Sequence, residues 1–148
     1  MTKHLKLLTV LLGASLAAAC ADPGPTLSVS DVQVVAPAPG RTATVAYMSV
    51  HNSGSEETML VRVTSPDYES AELHETRIED NVARMNALKN VAIAAGASAR
   101  FEPGGKHIML MQPVRAFPPG TMVSLTLHFT ADSELVVEAP IATSINVE

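Results

Sequence analysis

Met122-Val123-Ser124-Leu125-Thr126-Leu127-His128-Phe129 is the stretch whose reading decides the fold. Val123, Leu125, Leu127 and Phe129 fall on one side, and Ser124, Thr126 and His128 on the other. A period of two marks a strand with one buried and one wetter face, a pattern common in antiparallel sheets. Outward from this stretch, short runs rich in Val, Thr, Ala and Leu alternate with turn residues. The runs predict strands over residues 27–35, 42–51, 57–65, 71–78, 82–88, 91–93, 97–101, 107–111, 122–129 and 134–137. Asn52-Ser53-Gly54, Pro66-Asp67, Ala95-Gly96, Pro103-Gly104-Gly105 and Pro118-Pro119-Gly120 punctuate them. No long helical stripe and no internal repeat interrupts the series. The pattern defines an all-β domain, a sandwich or a barrel.

The amino end has a different character. Lys3 and Lys6 precede an apolar run at 7–12 and small residues up to Ala19, the layout of a secretory signal rather than a membrane span. Residues 1–19 are therefore expected to be a signal peptide, 20–26 a tether carrying Pro23, Gly24 and Pro25, and 27–148 the folded domain. The single cysteine, Cys20, follows Leu16-Ala17-Ala18-Ala19, which is close to a bacterial lipoprotein processing site; that motif normally has Leu where Ala17 stands. Acylation of Cys20 and ordinary cleavage near Ala19 or Ala21 are the two alternatives. Stable anchoring would require more than one acyl chain. The chain carries a formal net charge of −5, and loss of the two signal lysines makes it more negative. Such a surface disfavours nucleic acid and anionic lipid as partners.

Four residues carry the chemistry. His74 is followed after ten residues by Met85, after twenty-one more by His107, and after one more by Met109. Imidazole nitrogen and thioether sulfur are soft, neutral donors that together favour Cu(I) over cations preferring carboxylate and water oxygens. His107 and Met109 are two apart in an apolar run, so a strand points both the same way. The turn cluster Glu79-Asp80-Asn81 separates the other two. A loop centred between Glu79 and Asp80 would set His74 directly opposite Met85, whereas a loop centred on Asp80-Asn81 would offset them by two residues. Met48, Met59 and Met122 read as core filler, as thioethers often are. Met111 shares the face of His107 and Met109; core packing is its expected role, with a spare thioether or a partner contact as alternatives. His51 and His128 are read as surface residues.

The spacing of these four residues resembles the signature of the periplasmic copper chaperones called the PCu(A)C family, matched here without a gap. Gly104-Gly105-Lys106-His107-Ile108-Met109-Leu110-Met111 is similar to that family's glycine-led ligand strand, and Ala46-Tyr47-Met48-Ser49-Val50 to an early strand. The resemblance covers about residues 27–140. It implies a Greek-key β-sandwich related to the cupredoxins, one Cu(I) per chain held by His74, Met85, His107 and Met109, and delivery toward the copper centres of cytochrome c oxidase. A thiol-bearing assembly factor is the implied intermediate. Some members carry a further Met directly after the first His, where this chain has Glu75, and some have a Met- and His-rich tail, so a second copper site is not expected here.

Competing classes fit less well. An electron-transfer cupredoxin needs a Cys thiolate beside two His, and Cys20 is the only cysteine. A copper enzyme would need more His at close spacing, and neither a G-x-S-x-G elbow nor a phosphate-binding glycine loop occurs, so no enzyme is expected. Periplasmic copper buffering or resistance uses the same donors without an acceptor, and the sequence does not separate it from delivery.

Overall fold

The computed structural model describes residues 26–143. The expected signal, Cys20 and the tether as far as residue 25 lie outside the described residues. Ten strands follow one another: β1 (Leu27–Val35), β2 (Ala43–Asn52), β3 (Thr58–Thr64), β4 (Tyr68–Glu79), β5 (Val82–Ala87), β6 (Val91–Ile93), β7 (Ser98–Phe101), β8 (Lys106–Pro113), β9 (Met122–Phe129) and β10 (Glu134–Ala142). Among the described residues there is no helix. Each strand falls on an expected run. The largest departures are β4, which starts three residues earlier, and β10, which continues through Pro140 to Ala142. Proline is tolerated there because it stands at the end of the β9–β10 ladder, opposite Met122.

The strands form two layers. One sheet runs β5-β4-β8-β2-β1, with β7 also pairing to β2, and the other runs β10-β9-β3-β6. A short parallel pairing of Val34 and Val35 with Ile141 and Ala142 joins β1 to β10 and closes one side of the sandwich. The chain changes sheet between β2 and β3, β3 and β4, β5 and β6, β6 and β7, and β8 and β9, as in Greek-key sandwiches. The Val123, Leu125, Leu127 and Phe129 face of β9 is buried, and it meets Val34, Ala46, Met48, Val50, Ile108 and Leu110 of the first sheet within one core.

Strand alternation assigns most side chains correctly, but two methionines depart from their expected role. Met122 is 48% exposed. It shares the parity of Ser124 and Thr126, so β9 carries it on the wet side. Met59 lies half-buried on the outer side of β3, while its neighbours Thr58 and Leu60 are buried. Only Met48 fills the core as expected.

Asn52 does more than punctuate the chain. It is buried, and its Nδ2 donates to the carbonyls of Glu56 at 2.7 Å and Ile93 at 3.0 Å, while its Oδ1 accepts from the Gly54 N–H at 3.0 Å. One side chain thus ties the loop after β2 to the end of β6. Asn52→Ala leaves the buried Ile93 carbonyl without this donor, and urea denaturation should show a loss of about 1–3 kcal/mol with an unchanged m-value.

Candidate metal centre

Three neighbouring strands build the site. β4 pairs antiparallel with β8, and in that register His74 stands directly opposite His107, and Glu72 opposite Met109. β5 pairs with the other side of β4, with Met85 opposite Thr76 and Ala87 opposite His74. Directly opposed residues share a face, and so do residues two apart along one strand. Met85, His74, His107 and Met109 therefore lie on a single outer face of the first sheet. The structure brings all four candidate residues into one neighbourhood.

The hairpin between β4 and β5 uses the offset arrangement. Its loop is Asp80-Asn81, and both residues adopt positive φ, 52° and 61°. That is the two-residue turn whose twist matches paired strands, and Asp and Asn tolerate the left-handed region better than most residues do. A loop centred between Glu79 and Asp80 would instead have forced Glu79 into that conformation. Turn chemistry thus overrides the symmetric expectation, and Met85 sits diagonal to His74 rather than opposite it. The direct partner of His74 is His107, a pairing the hairpin argument did not anticipate.

The two imidazoles are close, with ring centroids 5.9 Å apart and planes tilted by 45°. His107 is 4% exposed, and the side chain of His74 is 14% exposed. Each ring uses one nitrogen in a hydrogen bond. His74 Nε2 lies 2.9 Å from Glu72 Oε2, and His107 Nδ1 lies 3.1 Å from the Gly105 carbonyl. The remaining nitrogens, His74 Nδ1 and His107 Nε2, are buried and have no hydrogen-bond partner. A buried polar atom without a partner costs about 1–3 kcal/mol and calls for an explanation.

The other two described histidines supply the contrast. His51 engages Ser30 Oγ at 2.9 Å and Ser98 Oγ at 2.7 Å, and His128 engages Thr64 Oγ1 at 2.8 Å and Glu134 Oε1 at 2.7 Å. Both lie on outer faces as expected, yet neither is freely solvated, because all four of their ring nitrogens are partnered. Unpaired nitrogen singles out His74 and His107 independently of any spacing.

Glu72 is a carboxylate in contact with His74, and it meets Nε2 rather than the unpaired Nδ1. Glu75, next to His74, alternates to the opposite side of β4, where Arg77 Nε approaches it at 2.6 Å and Lys106 Nζ at 3.6 Å. Tyr47 follows Ala46, the last β2 residue paired with β8, and burial pushes its phenol above the ordinary tyrosine range, so it stays a neutral hydroxyl. Among the described residues no three His, Cys, Asp or Glu side chains gather into a group able to hold a metal ion. The same face carries two thioethers as further candidate donors to an ion at the histidine pair. Met109 is half-buried and Met85 is 52% exposed on the outermost strand.

Met111 differs from its expected role. It is half-buried on the same outer face as His107 and Met109, opposite Ser70 on β4 and Ala43 on β2. The inward positions of β8 belong to Ile108 and Leu110. The parity of the strand was a better guide than the general habit of methionine.

The fold is a cupredoxin-like β-sandwich, that of the PCu(A)C domains, and one sheet face carries the paired imidazoles with two methionines nearby. The chain belongs to the LpqE-like family, whose model, described as "Putative lipoprotein LpqE-like", matches residues 27–141. It is 35% identical over 116 residues to "Putative lipoprotein Lxx21020" of Leifsonia xyli, an alignment covering 78% of this chain and 69% of that protein. The structure titled "Copper-bound PCuAC domain from PmoF2" superposes with a TM-score of 0.67 at 23% identity, covering 80% of this chain and 93% of that one. At that identity the likeness is one of fold. The solution structure of "CuI-DR1885" from Deinococcus radiodurans is similar at 29% identity with a TM-score of 0.65, over 87% of this chain and 85% of that one.

Met85 makes little contribution to packing at its exposed edge position. Met85→Leu should leave the unfolding free energy within about 0.5 kcal/mol of the parent in urea titrations, as is usual for surface changes.

Proposed function

We propose that this chain is a Cu(I)-binding metallochaperone of the periplasm, with His74, Met85, His107 and Met109 as ligands of one cuprous ion. The observation that carries the reading is the pair of buried imidazole nitrogens without hydrogen-bond partners, adjacent on one sheet face and flanked by two thioethers. Two neutral nitrogens and two neutral sulfurs suit a soft monovalent cation; a set with neither thiolate nor carboxylate suits Zn(II) poorly, and one without oxygen suits Mg(II) and Ca(II) poorly. The relative DR1885 supports the reading, since its structure is titled as the Cu(I) form.

The geometry also suits a carrier. Thioethers do not titrate in the physiological range, so the two sulfur bonds are given up by exchange with the ligands of an acceptor rather than by mild acidification. The acceptor is a thiol-bearing assembly factor or cytochrome c oxidase itself. Export follows from the signal at residues 1–19, and the lipoprotein names of the family and of the Leifsonia relative favour acylation at Cys20.

Competition against a chromophoric Cu(I) chelator should give one ion per chain. The double variant Met85→Leu with Met109→Leu should abolish that binding, and His107→Ala should weaken it by more than about 100-fold, beyond the loss typical of outer-shell changes. His128→Ala should leave it unchanged. Unaltered binding in the double variant would defeat the ligand assignment. Deletion of the gene should lower the copper content of cytochrome c oxidase; copper sensitivity with an intact oxidase would instead establish buffering.

Mass spectrometry of membrane fractions should find the diacyl-modified Cys20 at the mature amino end, and Cys20→Ser should release the protein into the soluble fraction. An unmodified terminus beginning after Cys20 would remove the anchor from the proposal.

A further inference from the structure

The two histidines are held in opposite ways. A carboxylate oxygen only accepts hydrogen bonds, so the 2.9 Å contact between Glu72 Oε2 and His74 Nε2 requires the proton on Nε2 of a neutral His74. A carbonyl oxygen also only accepts, so the 3.1 Å contact between Gly105 O and His107 requires the proton on Nδ1. The lone pairs left over are Nδ1 of His74 and Nε2 of His107, the same two atoms that are buried without partners. Resting on the copper reading above, we infer that Glu72 is a positioning residue that fixes His74 as its Nε2–H tautomer, so that His74 binds copper through Nδ1 while His107 binds through Nε2.

The support behind each ring differs as well. The Gly105 carbonyl accepts a second hydrogen bond, at 3.0 Å, from the backbone N–H of Thr76, which ties it to β4. His107 is therefore oriented by main chain that a side-chain substitution does not remove. His74 is oriented by one side chain. Glu72 stands two residues before His74 on the same face of β4, opposite Met109, and its side chain is 53% exposed. Carboxylates that accept the second N–H of a metal-bound histidine set its tautomer and raise its basicity, and their loss typically costs about 10- to 100-fold in metal affinity. Because Glu72 is half-exposed, its replacement can be made without opening the core.

Long-range proton–nitrogen correlation spectra of the 15N-histidine-labelled protein, recorded near pH 8 where an ordinary histidine is neutral, read each tautomer directly. In the metal-free protein His74 should show a protonated Nε2 and a bare Nδ1, and His107 the reverse. Cu(I) added without oxygen should shift Nδ1 of His74 and Nε2 of His107 and leave both protonated nitrogens in place. Glu72→Ala should give His74 a mixture of tautomers and weaken Cu(I) binding by about 10- to 100-fold. Glu72→Gln, which keeps an acceptor oxygen, should recover most of both, with His107 unchanged throughout. A proton on Nδ1 of His74 in the metal-free parent would overturn the inference. So would a Cu(I) shift at Nε2 of His74, or a Glu72→Ala variant with the tautomer and affinity of the parent. Failure of the parent to bind Cu(I) would defeat the copper reading itself, while the metal-free spectra would still decide what Glu72 does to His74.

Discussion

The antiparallel register between β4 and β8 is the constraint from which the rest follows. Leu73 and Ile108 are opposed and buried, and Leu110 is buried beside them opposite Ala71. Burial of apolar side chains on one face of a strand pair fixes its register, because a slip of one residue would carry every one of them into water. The same register places His74 against His107 on the reverse side. Packing free energy is thus the agent that brings two imidazoles together, and no local feature of either histidine is needed to do so.

Legibility varied with the kind of interaction involved. All ten strands fell where alternation and turn residues placed them, because a half-buried sheet writes its period directly into the chain. The shared face of His107 and Met109 on β8 was legible for the same reason, since residues two apart share a face whatever the strand pairs with. The position of Met85 depended on a choice between two turns, and the left-handed tolerance of Asp80 and Asn81 made it. The juxtaposition of His74 with His107 is a pairing of strands separated by β5, β6 and β7, and no short-range signal encodes it.

Residue habit was the weaker guide wherever it competed with strand parity. Methionine is commonly an interior residue, yet Met59, Met111 and Met122 all follow their strands to an outer face. Histidine shows the complementary lesson. Four described histidines lie on outer faces and are at least half-buried, and only the accounting of their ring nitrogens distinguishes two that are fully engaged from two that each keep a lone pair in reserve.

The four proposed ligands are not equally embedded. His107 is enclosed within the sheet, while Met85 rides on β5, whose one flank is unpaired among the described residues and whose side chains are all exposed. An acceptor's arriving ligand would meet the methionine arm before either ring. A cargo held in this way can be surrendered from the periphery inward, one bond traded for another, with the sandwich staying shut throughout. Affinity would then reside in the enclosed half of the cradle, and the ease of parting with the ion in its open half.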